Sequence, residues 1–375
     1  MSTSASRLCL LAWSTGCVLA ATIIGRLEST VAAEPSAVTA NYGQLSDGQA
    51  IQEFTLRNSH GLTAKVIEYG ATLTELSVPG RDGQMANVVL GGDSLEVYVK
   101  GVPSASIMGR YANRIRHARF SIDGREYEVT KNSGEHHIHG GKNNFSRVAW
   151  SGRTETTDDS ASALLRYTSP DGEEGFPGKL EVTVTYTLND ANELRLRYQA
   201  TTDKPTVINL TNHAYFNLSG PGKDILDHRV QLMASTTTIV DKSLIPTGEI
   251  VSLTGTPLGF RTFHSIGERI EALYEVARGY DHNYIIDGQP GTLRLAARVL
   301  DPASGRSMEC WTTEPGVQLY TANGFNGNPY PKHGAFCLET QHFPDSPHHA
   351  NFPSTTLRPG EPWNSETAFR FSVHK

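Results

Sequence analysis

A chain of 375 residues is long enough to bury one large core or two ordinary ones. Its net charge of −6 is mildly acidic. That excludes nucleic acid and anionic membrane as main partners, because both call for a basic face.

The N-terminus differs in kind from the rest. Arg7 precedes an uncharged, mostly apolar or small run over residues 8–25, and Val31-Ala32-Ala33 stands just before Glu34. A positive start, an apolar centre and a small-x-small site predict a secretory signal over residues 1–33, cleaved after Ala33, and an exported protein, periplasmic or secreted. The alternative is a retained membrane anchor. The run is borderline for spanning, and Ser14, Thr15 and Gly16 weaken it. Lipidation at Cys17 has a poor lead-in in Trp13-Ser14-Thr15-Gly16. Loss of Arg7, Arg26 and Glu28 would leave the mature chain one unit more acidic. Cys9 and Cys17 fall in this leader. Cys310 and Cys337 remain; an exported protein could pair them, but each lies inside an apolar strand-like run that suits a buried free thiol.

Residues 34–50 are small and polar and read as a flexible lead-in to a domain over 51–375. From Phe54 the pattern is β. Residues 54–58 and 62–70 read as strands about Ser59-His60-Gly61, and Leu73, Leu76 and Val78 lead into the turn cluster at 79–83. Residues 120–122 and 125–129 form a hairpin about Asp123-Gly124. The clearest alternation is 180–188, turning into 194–198, with one apolar and one polar face. Further strands fall at 229–232, 293–296, 316–321 and 368–373. Helical spacing is confined to short pieces near 94–98 and 265–273. Many short strands without alternating helices predict an all-β fold, one large single-domain antiparallel β-sandwich.

Five stretches place polar chemistry where such a fold wants core. Val207-Ile208-Asn209-Leu210 reads as a buried strand, yet Thr211, Asn212 and His213 follow at once. The alternative is a buried histidine satisfied by Asn212 and Asn217. Gly109-Arg110-Tyr111-Ala112-Asn113-Arg114-Ile115 offers two guanidinium forks for hydroxyls or a carboxylate, or a solvated surface loop. In His136-His137-Ile138-His139-Gly140-Gly141, an extended backbone would put His137 and His139 on one face, but no thiolate or well-spaced acid completes a metal set. The two glycines allow close backbone approach to a ligand. Gly279-Tyr280-Asp281-His282-Asn283-Tyr284 sets a carboxylate between aromatics, which suits a sugar, or a turn aspartate capping its own backbone. Phe336-Cys337-Leu338-Glu339-Thr340-Gln341 delivers Glu339 on an apolar strand. Burial there would raise its pKa and make it a better base; an outward-facing glutamate is the alternative.

As an ordered set from about residue 50 to the C-terminus, these stretches resemble the aldose 1-epimerase (galactose mutarotase) family. Gly316-Val317-Gln318, Asn217-Leu218 and the turn Ser169-Pro170-Asp171-Gly172-Glu173-Glu174-Gly175-Phe176-Pro177-Gly178 extend the resemblance. It implies a galactose mutarotase-like supersandwich with a sugar cleft, no cofactor and no metal. It implies Glu339 as general base and His213 as general acid, with Asn113, Arg114, His139, Asp281 and Gln318 around a free aldose such as glucose or galactose. The implied assembly is a monomer or homodimer. Tyr111 and Ala214 depart from residues common in relatives, and neither replaces a group with a chemical role. Residues 324–333, rich in turn formers, are expected to shape one cleft wall. The leader is the larger departure, since most relatives act in the cytoplasm.

Two rivals stand beside this reading. A glycoside hydrolase would use Asp281 and Glu339 as its carboxylate pair but leaves His213 without a role. A non-catalytic sugar-binding protein would have no need for a complete acid–base set.

Overall fold

Alternation becomes structure most plainly at Leu180–Asn189, where buried and partly exposed residues alternate along ten positions. The computed structural model describes residues 34–374. The leader, its cleavage site and Cys17 lie outside the described residues. Leu180–Asn189 pairs with Ser160–Ser169 on one side and Glu193–Thr202 on the other, all antiparallel. They belong to a nine-stranded sheet ordered Ser151–Thr156, Ser160–Ser169, Leu180–Asn189, Glu193–Thr202, Trp363–Val373, Arg306–Thr312, Arg294–Leu300, Arg229–Leu232 and His264–Ser265. The C-terminal strand sits inside this sheet and joins its earlier and later halves.

Two five-stranded sheets complete the sandwich. One is a meander, Ser36–Gln44, Ala50–Arg57, Thr63–Ile67, Thr72–Pro79 and Met85–Asn87. The other runs Pro246–Ser252, Ala234–Val240, Asp281–Ile286, Gly316–Tyr320 and Cys337–Gln341. Phe54 and Leu76 from the first, Leu319 and Leu338 from the second, and Val184, Leu196 and Phe369 from the nine-stranded sheet share one buried cluster. The predicted antiparallel sandwich is therefore present. Asp123 (φ 52°) and Gly124 (φ 78°) make the predicted hairpin turn with both φ positive. Helix among the described residues is limited to Leu95–Lys100, Tyr274–Ala277 and single 3₁₀ turns.

Two expectations need correction. Residues 36–44 are not a flexible lead-in. Ser36–Gln44 is an edge strand in register with Ala50–Arg57, bulged between Asn41 and Gly43, so the sandwich begins at Ser36 rather than at 51. Its residues are mostly exposed, and backbone pairing rather than apolar pattern recruits it. Residues 207–210 are buried but do not form a continuous strand. Thr206–Val207 pairs with Thr356–Leu357, Thr211–Asn212 with Ile107–Met108, and Asn209 bridges Tyr111 in parallel. The segment changes partner every few residues because it threads between elements instead of lying in one sheet. Cys310 and Cys337 are free and buried.

Candidate active site

One wall of the site is a regular ladder. Asn283 lies opposite Gln318, and Gln318 opposite Glu339. The two-residue period of a strand then puts Asp281, Gln318, Tyr320 and Glu339 on one face, while Leu319 and Leu338 enter the core. Gln318 Nε2 donates to Asp281 Oδ1 at 2.6 Å, and Arg114 Nη2 stands 3.5 Å from Asp281 Oδ2. Asp281 is thus held from two sides. Thr340 on the core face shares a hydroxyl bond with Thr367, which fixes the ladder on the nine-stranded sheet.

The facing wall is irregular. Asn113 (φ 61°) and His139 (φ 52°) both adopt left-handed backbone, which only a few non-glycine residues do. Their backbones hold each other: His139 N donates to Asn113 O at 3.0 Å, and Asn113 N donates to His139 Nδ1 at 3.2 Å. Asn113 Oδ1 also accepts from Arg114 N and Nη1. His213 is fixed by its amide to Ser106 O at 3.0 Å. Its ring stacks on Tyr215 at 4.8 Å between centroids and meets the His139 ring edge-on at 5.2 Å.

The walls enclose a cavity of about 180 Å³ lined by Asn113, Arg114, Ile138, His139, His213, Tyr215, Asp281, Tyr320 and Glu339. That is small beside the roughly 300–1,000 Å³ of clefts for drug-sized ligands, so a small polar solute fits it better. Larger grooves exist, one of about 550 Å³ between Leu253 and Arg269, but it holds no acid–base pair. Here His213 Nε2 and Glu339 Oε1 are 3.5 Å apart, and both side chains are buried. Burial pushes the Glu339 carboxyl up to about 8; the charge of Asp281 adds to this and Arg114 opposes it. Burial pushes His213 down to about 4. Near neutral pH the pair therefore carries one proton, on Glu339, and both groups are neutral.

His139, His213 and Glu339 bring ligand atoms within 4.8 Å of one another, so a metal ion has to be considered. The donor set does not fit one. Asn113 N–H points at His139 Nδ1, so the neutral ring carries its proton on Nε2. The atom facing the cavity is then a donor, not a lone pair.

Six of the seven residues singled out in the sequence line the cavity, and Gln318, on the same face of the ladder, is bonded to Asp281. Three other prominent residues go elsewhere. Arg110 is buried in carbonyls of residues 169–178. His136 accepts from His117 N. His137 is bonded to Thr130 O and does not share a face with His139, because the left-handed turn at His139 breaks the alternation. The glycines at 140 and 141 serve close approach of protein, not ligand. A Cβ on Gly140 would stand 1.8 Å from Gly109 O, and one on Gly141 2.1 Å from Glu174 Oε2. Tyr215, Tyr320 and Ile138 were missed as lining residues. The signal for Tyr320 was available: it is two residues from Gln318 on the same strand. Phe325 stacks behind Tyr215, and Gly324 N donates to Tyr320 Oη, so the start of the 324–333 segment backs the wall.

The profile of the aldose 1-epimerase family matches residues 52–370. Galactose mutarotase of Rattus norvegicus is 42% identical over 342 residues, covering 88% of this chain and 97% of the rat protein. Aldose 1-epimerase of Escherichia coli K12 is 34% identical, covering 87% and 96%. The crystal structure of galactose 1-epimerase from Lactobacillus acidophilus superposes with a TM-score of 0.82 at 27% identity, covering 91% of this chain and all of that one. With most of its length matched and the acid–base cavity in place, this chain belongs to the aldose 1-epimerase family.

Proposed function

We propose that this chain interconverts the α and β anomers of free aldoses, such as glucose and galactose, by acid–base ring opening and closure, with Glu339 and His213 as the acid–base pair. The observation that carries this is the pair itself: a carboxylate and an imidazole 3.5 Å apart in a small polar cavity. The reaction takes a proton from the C1 hydroxyl and gives one to the ring oxygen. The chain opens, the C1–C2 bond turns, and closure on the other face uses the same groups in reverse. No electrons move, so no redox cofactor is required.

The proton balance of the pair fits this chemistry with one adjustment. Glu339 starts protonated and His213 neutral. A bound sugar replaces lost solvent for both. Its C1 hydroxyl donates to a carboxylate and its ring oxygen accepts from an imidazolium, and each bond favours the charged form. The pair's single proton then moves from Glu339 to His213 without exchange with bulk water. Each positioned group supplies about 10²–10⁴-fold. The Nε2–H of His139, the guanidinium of Arg114 and the Gln318-braced carboxylate of Asp281 offer donors and an acceptor for sugar hydroxyls.

A hydrolase is disfavoured by the same geometry. Asp281 and Glu339 project from one face of the same sheet, on the two strands that flank Gly316–Tyr320, and Asp281 is engaged by Gln318 and Arg114, whereas glycosidic cleavage needs both carboxylates free to flank the bond and gives His213 no role. Polarimetry on freshly dissolved α-glucose and α-galactose tests the proposal. The mature protein should speed the approach to equilibrium, and Glu339→Gln and His213→Asn should each abolish most of that. A folded parent with no effect on any pentose or hexose would overturn it. The leader composition supports export with cleavage after Ala33. N-terminal sequencing of the exported protein should begin at Glu34, and full-length protein retained in the cytoplasm would refute export.

A further inference from the structure

The turn at residues 169–178 has no part in the chemistry above, yet it touches both loops of the irregular wall. Arg110, four residues before Arg114, is 2% exposed. Its guanidinium donates to Pro177 O at 3.0 Å, Gly178 O at 2.7 Å, Pro170 O at 2.9 Å and Ser169 Oγ at 3.1 Å. The face of this turn that carries Glu174 meets the other loop. Glu174 Oε1 accepts from Asn143 N at 2.8 Å and Oε2 from Lys142 N at 3.0 Å. Its own carbonyl accepts from Thr130 N at 2.9 Å. Those two amides lie just beyond His139, and Gly141, immediately before them, leaves room for the carboxylate that a Cβ would fill. Glu174 is itself left-handed at φ 52°, a costly backbone for this residue type, so the turn is shaped to deliver this side chain.

Amides converging on one carboxylate are charge-assisted bonds, about twice as strong as neutral ones. Burial alone would raise the Glu174 carboxyl. The Thr130 side chain and the two amides outweigh burial and hold it below its ordinary value, so it remains ionised at neutral pH.

We infer that Glu174 is a positioning residue of the sugar site: it anchors residues 142 and 143 and so fixes the backbone that presents His139 Nε2–H. Arg110 ties the same turn to the segment bearing Asn113 and Arg114. One turn thereby sets the spacing of the two loops that face the ladder. The inference rests on reading the cavity as the sugar site.

The test is steady-state mutarotation, with thermal melts run in parallel. An inactive parent would overturn both readings; an active parent isolates this one. Because a misplacement of about 1 Å can cost ~10²-fold, Glu174→Ala should raise KM at least ~10-fold while kcat stays within ~3-fold. Glu174→Gln keeps one acceptor oxygen and should recover part of the loss. Glu174→Ala combined with His139→Ala should show the KM of His139→Ala alone, since Glu174 acts through that residue. Two results would overturn the inference. One is unchanged KM in Glu174→Ala with only a lower melting temperature or active fraction, as a merely structural role predicts. The other is fully multiplicative KM effects in the double variant. If Glu174→Ala does not fold, Glu174→Gln alone decides by whether its KM rises at a preserved melting temperature.

Discussion

The two walls of the cavity are built by different physics. The ladder wall places Asp281, Gln318 and Glu339 by strand register, with backbone bonds from Asp281–Ile286, Gly316–Tyr320 and Cys337–Gln341 fixing the geometry whatever the side chains are. The loop wall places Asn113, Arg114, His139 and His213 through two-residue pairings, Arg114–Ile115 with His137–Ile138 and Thr211–Asn212 with Ile107–Met108, through isolated backbone bonds and through two left-handed residues. On the ladder, a side-chain change alters chemistry and leaves position intact. On the loops, an added methyl group alters position.

The largest effect is expected on the ladder. Glu339→Gln is nearly isosteric, so the fold should persist while kcat falls about 10²–10⁴-fold, read by polarimetry. The same variant should be more resistant to mildly alkaline pH than the parent. The folded carboxyl is raised from 4.5 to about 8, so its contribution to stability is present below pH 4.5 and is lost as pH rises through 8. A shift of that size corresponds to several kcal/mol at most. Melting temperatures at pH 5 and pH 8 check this: the parent should fall more than Glu339→Gln. Equal falls would mean that the carboxylate ionises without penalty and that the ladder site is not strained by its own base.

The loop wall is broken differently. Gly140→Ala sets a Cβ 1.8 Å from Gly109 O at φ 87°, so the two loops must part. Gly83→Ala is the control, left-handed at φ 77° with nothing within 4 Å, and should cost about 1–2 kcal/mol for the backbone alone. Urea unfolding should show Gly140→Ala costing several kcal/mol, at least about 2 beyond the control. Equal costs would show that the loops are less closely packed than their backbones indicate.

This contrast also explains what could be read from the sequence. Alternation at 180–188 and the apolar run ending in Glu339 predict strands because a two-residue period is a local signal. Asn113, Arg114, His139 and His213 stand out as polar groups by residue type and take their roles from resemblance to a family, while the backbone around them was not legible. Residues 207–210 look like one strand and are a thread with changing partners. His137 and His139 look like one face until φ turns positive. Gly140 and Gly141 look like a ligand cradle and are a contact between loops. Each of these is decided by a segment distant in sequence. Ser36–Gln44 fails in the opposite sense: its partner strand makes it a strand despite an exposed, polar composition.

A subtler prediction sharpens the electrostatics of the ladder. The pair should carry one proton between about pH 4 and pH 8, so kcat/KM should plateau there and fall on both flanks. Asp281 raises the Glu339 carboxyl and Arg114 lowers it. Asp281→Asn removes the first and leaves the second without its partner. Both changes favour carboxylate, so the alkaline flank should move to lower pH, alongside any rise in KM. A flank that stays put would show that burial alone sets the Glu339 value, and one that moves up would refute the role given to Asp281.

The smallest effect belongs where the walls meet. Tyr215 and His213 stack at 4.8 Å and 28°, and Phe325 stacks behind Tyr215 at 5.5 Å and 22°. A stacked aromatic pair adds about 0.5–1.5 kcal/mol beyond area burial, which is roughly 2- to 12-fold in a rate. Tyr215→Leu should therefore lower kcat/KM by several-fold, because the imidazole loses the ring that fixes its plane toward Glu339. Tyr215→Phe keeps the ring and should sit near the parent. If the phenylalanine variant lost as much as the leucine one, the hydroxyl rather than the stack would be the contributor. Tyr215 would then belong among the groups that meet the sugar, and the loop wall would hold His213 by its backbone alone.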